Sequence, residues 1–294
     1  MVLMDIRTPE IVSFHRAITD YYYQSGRHDM PWRRPDESGN FDPYRILISE
    51  IMLQQTQVDR VMPKYAEFLQ AFPDVQRLAA SSLGDVLTVW NGLGYNRRAK
   101  YVWQAAGLVV SRFDGMFPET AEELQQIPGI GPNTAGAIMA YAYNQPVVFV
   151  ETNIRTVILH HFFADQMAVH DRDIRDVLGR VLPGAPGSET STMQGAILGP
   201  RQFYWALMDY GTYLKKTVGN VSRASKHYAR QSTFQGSLRQ LRGRVIKSLT
   251  AGETSKADLQ QQLGDERLDD VLDALVREGL VAKKGKRLRL GSEN

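Results

Sequence analysis

The sequence predicts a mainly α-helical chain that ends in a small domain of different make-up, and three observations carry that prediction. Apolar residues recur at helical spacing through most of the first 235 residues, with no convincing run of alternating strands. Helix-start signals stand where that periodicity begins. The last sixty residues read as three helical patterns followed by two short strands.

Taken in order, RTPEIVSFHRAITDYYYQS opens with Thr8 as a cap candidate, Pro9 at the first helical position and Glu10 early in the helix. DPYRILISEIMLQQTQVDRVMPKYAEFLQAF carries apolar residues at helical spacing. TAEELQQI pairs Thr120 with Glu123 in a capping-box pattern. In the tail, helical patterns run over RGRVIKSL, from Ser255 (SKADLQQQL) and across Glu266–Glu278. LVAKKGKRLRL then reads as two strands around a turn at Gly285. Helix, helix, helix, hairpin resembles a winged helix-turn-helix domain, a form that serves DNA binding and protein interaction alike.

A length of 294 residues favours two domains, or one domain with an appendage. With 43% hydrophobic and 23% charged residues the composition is that of a soluble globular protein. No run approaches the ~18 apolar residues of a membrane span. The segment MVLMDIRTPEIV lacks a basic region followed by an apolar stretch, so no secretory signal is read and a cytoplasmic, nucleoid-associated protein is expected. There is no cysteine, which excludes disulfides and cysteine-ligated zinc or iron–sulfur sites.

The formal net charge is only +3, so any nucleic-acid binding must rest on local charge. From Tyr210 to Gly252 there is no Asp or Glu, against nine Lys and Arg. That footprint suits a phosphate backbone, and a solvated basic face is the alternative. The tail from Gly236 to Asn294 carries twelve Lys and Arg against nine Asp and Glu.

Three short stretches carry chemistry. Residues 147–163, VVFVETNIRTVILHHFF, set Glu151, Thr152 and Asn153 in an apolar run. A carboxylate there is a solvated loop residue, a structural cap or a catalytic group. As cap candidates Thr152 and Asn153 are better than Glu151. In Ile127-Pro128-Gly129-Ile130-Gly131 two glycines permit a tight turn, and the helix that follows offers free N–H groups to a phosphate; an ordinary glycine-capped turn is the alternative. In LISEIMLQQTQV a helix places Ile48, Ile51, Met52 and Gln55 near one another, with Glu50 among apolar neighbours. Such surroundings raise a carboxyl pKa and suit a general acid, unless Glu50 is a surface residue of an amphipathic helix.

PWR (Pro31–Arg33), DPY (Asp42–Tyr44), SEIMLQQTQV, WNGLGY (Trp90–Tyr95), IPGIGPNTAGAI and ALMDYG (Ala206–Gly211) occur in this order. The set, spanning roughly Asp29 to Gly211, resembles the MutY-type adenine DNA glycosylases of the helix-hairpin-helix superfamily. The resemblance implies a two-subdomain helix-hairpin-helix DNA glycosylase fold over residues 1–235. Its subdomains would be residues 42–150 in the centre and 1–41 with 151–235 on the flanks. Residues 236–294 form the winged-helix-like domain. It also implies a cleft that takes a base flipped out of the duplex.

The same resemblance suggests roles. Glu50 matches the acid that protonates the leaving adenine. Glu151 matches an aspartate that stabilises the oxocarbenium ion, in an Asp-Gly-Asn sequence that here reads Glu151-Thr152-Asn153. Glu adds one methylene, moving the carboxylate ~1.5 Å on a fixed backbone. A displaced backbone in which Glu151 does the aspartate's work, a pocket reshaped for another base, and a crippled enzyme are the three readings; we favour the first. Asn133 stands where lyase-active relatives carry a nucleophilic lysine, so no strand cleavage is expected; it could instead contact the flipped base or a catalytic water.

Gln54 and Tyr95 match residues that enter the base stack. Gln55, Gly129, Ile130 and Gly131 are further DNA contacts on this reading. Trp32 and Arg33 match the segment lining the base pocket and backbone. Where the family usually holds a 4Fe–4S cluster by four cysteines, Lys215, Ser222, Ser225 and Gln231 stand here. We therefore expect a clusterless member in which Lys215, Lys216 and Arg223 contact DNA instead. No cofactor is expected, apart from a candidate monovalent cation at the hairpin. The expected partner is double-stranded DNA with a mismatched or damaged base pair, bound by a monomer without membrane association. A glycosylase of shifted specificity, for uracil, thymine or another lesion, and a non-catalytic mismatch binder are the competing readings.

Overall fold

The computed structural model describes residues 8–164, 166–192, 198–219, 224–226 and 233–291. The elements run α1 (Thr8–Ser25), a 3-10 turn (Pro31–Arg33), α2 (Pro43–Leu53), α3 (Val58–Ala71), α4 (Val75–Ala79), α5 (Leu83–Trp90), α6 (Arg97–Phe113), α7 (Ala121–Leu124), α8 (Pro132–Tyr141), α9 (Thr152–Phe162) and α10 (Asp171–Val181). A 3-10 turn (Glu189–Thr192), α11 (Pro200–Thr217), α12 (Leu238–Thr250), β1 (Thr254–Ser255), α13 (Lys256–Leu263), α14 (Leu268–Arg277), β2 (Val281–Lys284) and β3 (Arg287–Leu290) complete the order. Among the described residues no helix is long and apolar enough to cross a membrane.

The chain divides into two compact units. One comprises Met1–Ile46, Glu119–Ala121 and Gly131–Arg230; the other comprises Leu47–Pro118, Glu122–Ile130 and Gln231–Asn294. Residues 131–150 thus group with the flanking segments, and the tail groups with the middle of the chain.

In the first unit α11 packs against α1, α8 and α9, and α10 packs on α9. Phe14, Ile18, Ile154, Ile158, Phe203 and Tyr204 are at most 1% exposed. Each such side chain contributes about 1.5–3 kcal/mol relative to leaving it in water. The Tyr204 hydroxyl, which would be costly to bury unpaired, donates to the Val147 carbonyl at 2.7 Å. Gly136 lets α8 lie on Phe149: a Cβ there would meet the Phe149 Cβ at 2.7 Å.

In the second unit α6 packs on α4 and α5, and α3 packs on α5. The helix starts obey local chemistry. Ser82 and Asp85 form a capping box at α5, and Ser255 and Asp258 form one at α13. On α14, Leu268, Val271, Leu272 and Leu275 recur at helical spacing and are buried. The tail's strands form an antiparallel sheet in the order β1-β3-β2, with Val281 opposite Leu290 and Thr254 opposite Leu288. The hairpin expected around Gly285 is present, with Gly285 at φ +60°. The third strand, β1, is two residues long, too short to show alternation in the sequence. Within this unit α12 and β3 pack on α5.

One local expectation is corrected. Gln55 does not continue the helix of Glu50: α2 ends at Leu53, and Gln55 takes φ +54°. The helical spacing that placed it beside Ile51 and Met52 therefore breaks off one turn early.

Candidate active site

The carboxylate of Glu151 sits at a junction that three elements hold in place. Phe149 and Val150, both 2% exposed, bring the chain to it in extended form. Glu151 occupies the N-cap position of α9 with φ −107° and ψ 169°, and its side chain makes no capping hydrogen bond. The expectation that Thr152 or Asn153 would cap the helix is corrected: both are its first helical residues. The Asn153 side chain is engaged elsewhere, because Lys215 Nζ donates to its Oδ1 at 2.7 Å. Asn133 Nδ2, at the start of α8, donates to the Val150 carbonyl at 3.1 Å. So the residue in the lysine position ties the hairpin helix to the backbone just before Glu151.

A glycine makes this convergence possible. A Cβ on Gly211 of α11 would lie 2.5 Å from the Asn153 carbonyl oxygen and 2.9 Å from its carbonyl carbon. Only a residue without a side chain lets α11 approach the first turn of α9 so closely. The sequence reading used Gly211 merely as part of a motif.

Burial raises the pKa of Glu151, and the positive charges of Arg155 and Lys215 partly offset this. Arg155 is shared with Asp171, to which it donates at 3.0 and 2.7 Å, so its influence on Glu151 is divided. Lys215 is itself half-buried; burial and Arg155 lower its pKa while Glu151 raises it. Lys215 therefore turns inward to Asn153, while its neighbour Lys216 is exposed at the end of α11. Lys215→Met should shift the acid limb of any reaction that needs ionised Glu151 to higher pH. The sign follows from removing a cation that favours the carboxylate. Single-turnover rates across acidic to neutral pH, with Lys215→Arg as the charge-retaining control, provide the measurement. A phosphate contact would leave the limb in place and flatten the salt dependence of DNA binding.

Of the other residues at expected cluster positions, Ser225 is buried. Here the chain forms a parallel bridge with Val169, with Val169 N donating to Ala224 O and Lys226 N to Val169 O, each at 3.1 Å. Arg223, Ser222 and Gln231 lie outside the described residues.

Arg33 departs from its expected place beside DNA. It is 8% exposed, and both arms of its guanidinium engage Asp209, at 2.8 and 2.9 Å, beneath a contact with the Trp205 ring. Arg27 donates to the same carboxylate through its backbone N and its Nε. The arginine of PWR and the aspartate of ALMDYG are thus an internal ion pair, a use of the planar fork that suits burial. Trp32 is also buried, at 6% exposure, and lines a shallow cavity of about 400 Å³ with Phe41 and Asp42.

The hairpin is a tight turn, with Ile130 N donating to Ile127 O at 3.1 Å and Gly129 at φ +83°. A Cβ on Gly129 would meet Tyr101 Cβ at 2.7 Å. Gly131 is the N-cap of α8, has no side chain to cap it, and is followed by Pro132. The first amides of α8 are consequently available to an anion.

In the second unit, Glu50 is half-buried on α2 between Ser49 and Ile51, which are at most 2% exposed. The end of α2 is secured by Arg98, which sequence reasoning overlooked. Its guanidinium donates to the carbonyls of Ile51, Met52 and Gln54 at 2.8, 2.9 and 2.6 Å, and to Gly94 O at 3.1 Å. One buried cation thereby satisfies the last carbonyls of a helix and ties them to the WNGLGY turn. Burial lowers its pKa to about 10, so it stays charged. The turn holds Gly92, Gly94 and Tyr95 at positive φ, with Tyr95 at +49°. Gln54, Gln55 and Tyr95 then line one cavity of about 440 Å³. No group of three or more His, Asp or Glu among the described residues is placed to hold a metal ion.

Comparison with known proteins matches residues 48–180 to the HhH-GPD superfamily of base excision DNA repair proteins. The chain is 32% identical over 283 residues to an adenine DNA glycosylase of Mycolicibacterium smegmatis, covering 88% of this chain and 90% of that protein. It is 31% identical over 228 residues to an adenine DNA glycosylase of Buchnera aphidicola, covering 76% of this chain and 60% of that one. Among solved structures, a thermostable thymine-DNA glycosylase matches with a TM-score of 0.53 and 22% identity, over 69% of this chain and 86% of that chain. The last comparison bears on the fold alone, and it agrees with the helix-hairpin-helix glycosylase fold expected from the motifs. By its shared sequence and its order of motifs, the chain belongs to the adenine DNA glycosylase family of the HhH-GPD superfamily, as a member without cysteines and hence without an iron–sulfur cluster.

Proposed function

We propose that the protein is a monofunctional DNA glycosylase that hydrolyses the N-glycosidic bond of adenine mispaired with guanine or 8-oxoguanine. Glu50 acts as the general acid on the departing base, since an uncharged purine leaves far more readily than a purine anion. Glu151 supplies the anion that stabilises the oxocarbenium ion, and it also helps to orient the attacking water. The observation that carries this reading is the setting of Glu151. The carboxylate is uncommitted to capping, lies in low-dielectric surroundings, and is flanked by two cations and by Asn153. Asn133, which brings no amine to the lysine position, supports hydrolysis without strand cleavage.

A second reading keeps the chemistry and changes the base. The longer acid at 151, beside Thr152 where the family has glycine, favours a reshaped pocket. Duplexes carrying a panel of mismatches and lesions, treated with alkali after incubation, separate the two. Release of adenine alone is the expected result, and release of uracil, thymine or another base would establish the second reading. Tight binding with no release from any duplex would refute both. Glu151→Gln should slow release strongly at unchanged DNA affinity; near-normal turnover would remove Glu151 from the mechanism.

A further inference from the structure

Within the second unit, the helix α12 of the tail forms one wall of the 440 Å³ cavity that Gln54, Gln55 and Tyr95 line. Arg239 and Arg242 are its contributions. Four arginines surround this space, and three are engaged. Arg98 holds backbone carbonyls. Arg97 and Arg242 both bind Glu278, the former at 2.9 Å. Arg239 is differently placed. Its guanidinium lies 5.0 Å from the centre of the Tyr95 ring and 5.3 Å from that of Phe234, and it donates to the Tyr95 hydroxyl.

The opposite wall is built under strain. Gln55 and Tyr95 hold φ of +54° and +49°, a region that residues with side chains rarely enter and that is costly unless the surroundings enforce it. Here the buried Arg98 enforces it, by pinning both turns at once. Two amide side chains, a phenol and a stacked guanidinium thus face one space in an acid-free stretch of sequence. Flat groups with edge donors suit a nucleobase better than a phosphate. A guanidinium fork gives two parallel donors, which match the O6 and N7 acceptors of guanine and of no other base.

We infer that α12 completes a nucleotide pocket in which Arg239, stacked on Tyr95, reads the guanine-type base opposite the excised one. The assignment rests on the mismatch-glycosylase reading above, and it gives the tail a part in specificity rather than mere attachment. Lysine cannot replace a bidentate fork, so the position distinguishes shape from charge.

The test measures binding without excision. Duplexes carry a tetrahydrofuran abasic analogue opposite guanine, 8-oxoguanine, cytosine or thymine, and affinities for the full-length protein are compared at fixed salt. Wild type should prefer guanine or 8-oxoguanine by on the order of tenfold. Arg239→Ala and Arg239→Lys should both lose that preference while binding the cytosine duplex about as tightly as wild type. Arg239→Lys keeps the stem and charge, and so carries the test if the alanine variant folds poorly. The inference is overturned if wild type shows no preference, or if Arg239→Lys retains it. It is equally overturned if Arg239→Ala weakens all four duplexes alike with a shallower salt slope, the mark of a phosphate contact. Adenine release by wild type is scored separately. Its absence alongside a preserved preference would reject the excision reading and leave the pocket standing.

Discussion

Glu50→Gln is expected to slow base release by about 10²–10⁴-fold, the range for loss of a general acid, with little change in DNA affinity. The residue stands on α2 among side chains that are almost fully buried: Ile48 and Met52 are both 0% exposed. Glu50 itself is half-buried, so its carboxyl meets a site rather than bulk solvent. Glutamine keeps the volume and the hydrogen-bonding reach and removes only the transferable proton. A role in packing or in substrate affinity would therefore leave the rate nearly intact. Single-turnover release from an adenine mismatch, with affinity for an abasic-analogue duplex measured in parallel, separates the cases. An active Glu50→Gln enzyme would exclude Glu50 as the acid.

Gly211→Ala is expected to reduce release about a hundredfold by displacing the turn that carries Glu151, since errors near 1 Å have that effect on positioned groups. The added methyl would sit 2.5 Å from the Asn153 carbonyl oxygen, well inside van der Waals contact, and the obstruction is backbone rather than a mobile side-chain tip. Either α11 retreats from α9 or the first turn of α9 moves. Retreat of α11 would also draw Lys215 Nζ from its 2.7 Å contact with Asn153. Overpacking of this kind costs about 1–3 kcal/mol, so the unfolding midpoint in urea should fall as well. A variant that loses stability yet keeps the wild-type rate would show that this close approach serves packing alone.

Much of this molecule is legible in its sequence, for reasons that particular residues make clear. The tail's three helices announce themselves through Ser255 and Asp258 and through the buried stripe on α14, because local capping and periodicity are short-range effects. The hairpin is readable because Gly129 and Pro128 leave the backbone few options. The Glu151 junction is readable as chemistry but not as geometry. That Lys215 turns inward to Asn153 depends on contacts across more than sixty residues of sequence. Arg33 misleads for the same reason: its partner, Asp209, is 176 positions away, and an arginine near a motif gives no sign of whether it faces DNA or a buried carboxylate. Arg98 leaves no signal at all, since its service to the end of α2 is rendered to carbonyls, which every residue possesses.

Two backbone hydrogen bonds join Val169 to the chain at Ala224 and Lys226, one residue on either side of the position matched to a cluster cysteine. Such bonds neither oxidise nor exchange with a metal pool. Where relatives must be loaded with iron and can lose it to oxidants, this anchor forms as soon as the polypeptide folds. An enzyme built this way would keep working under iron starvation or peroxide stress, the very conditions in which oxidised guanine accumulates.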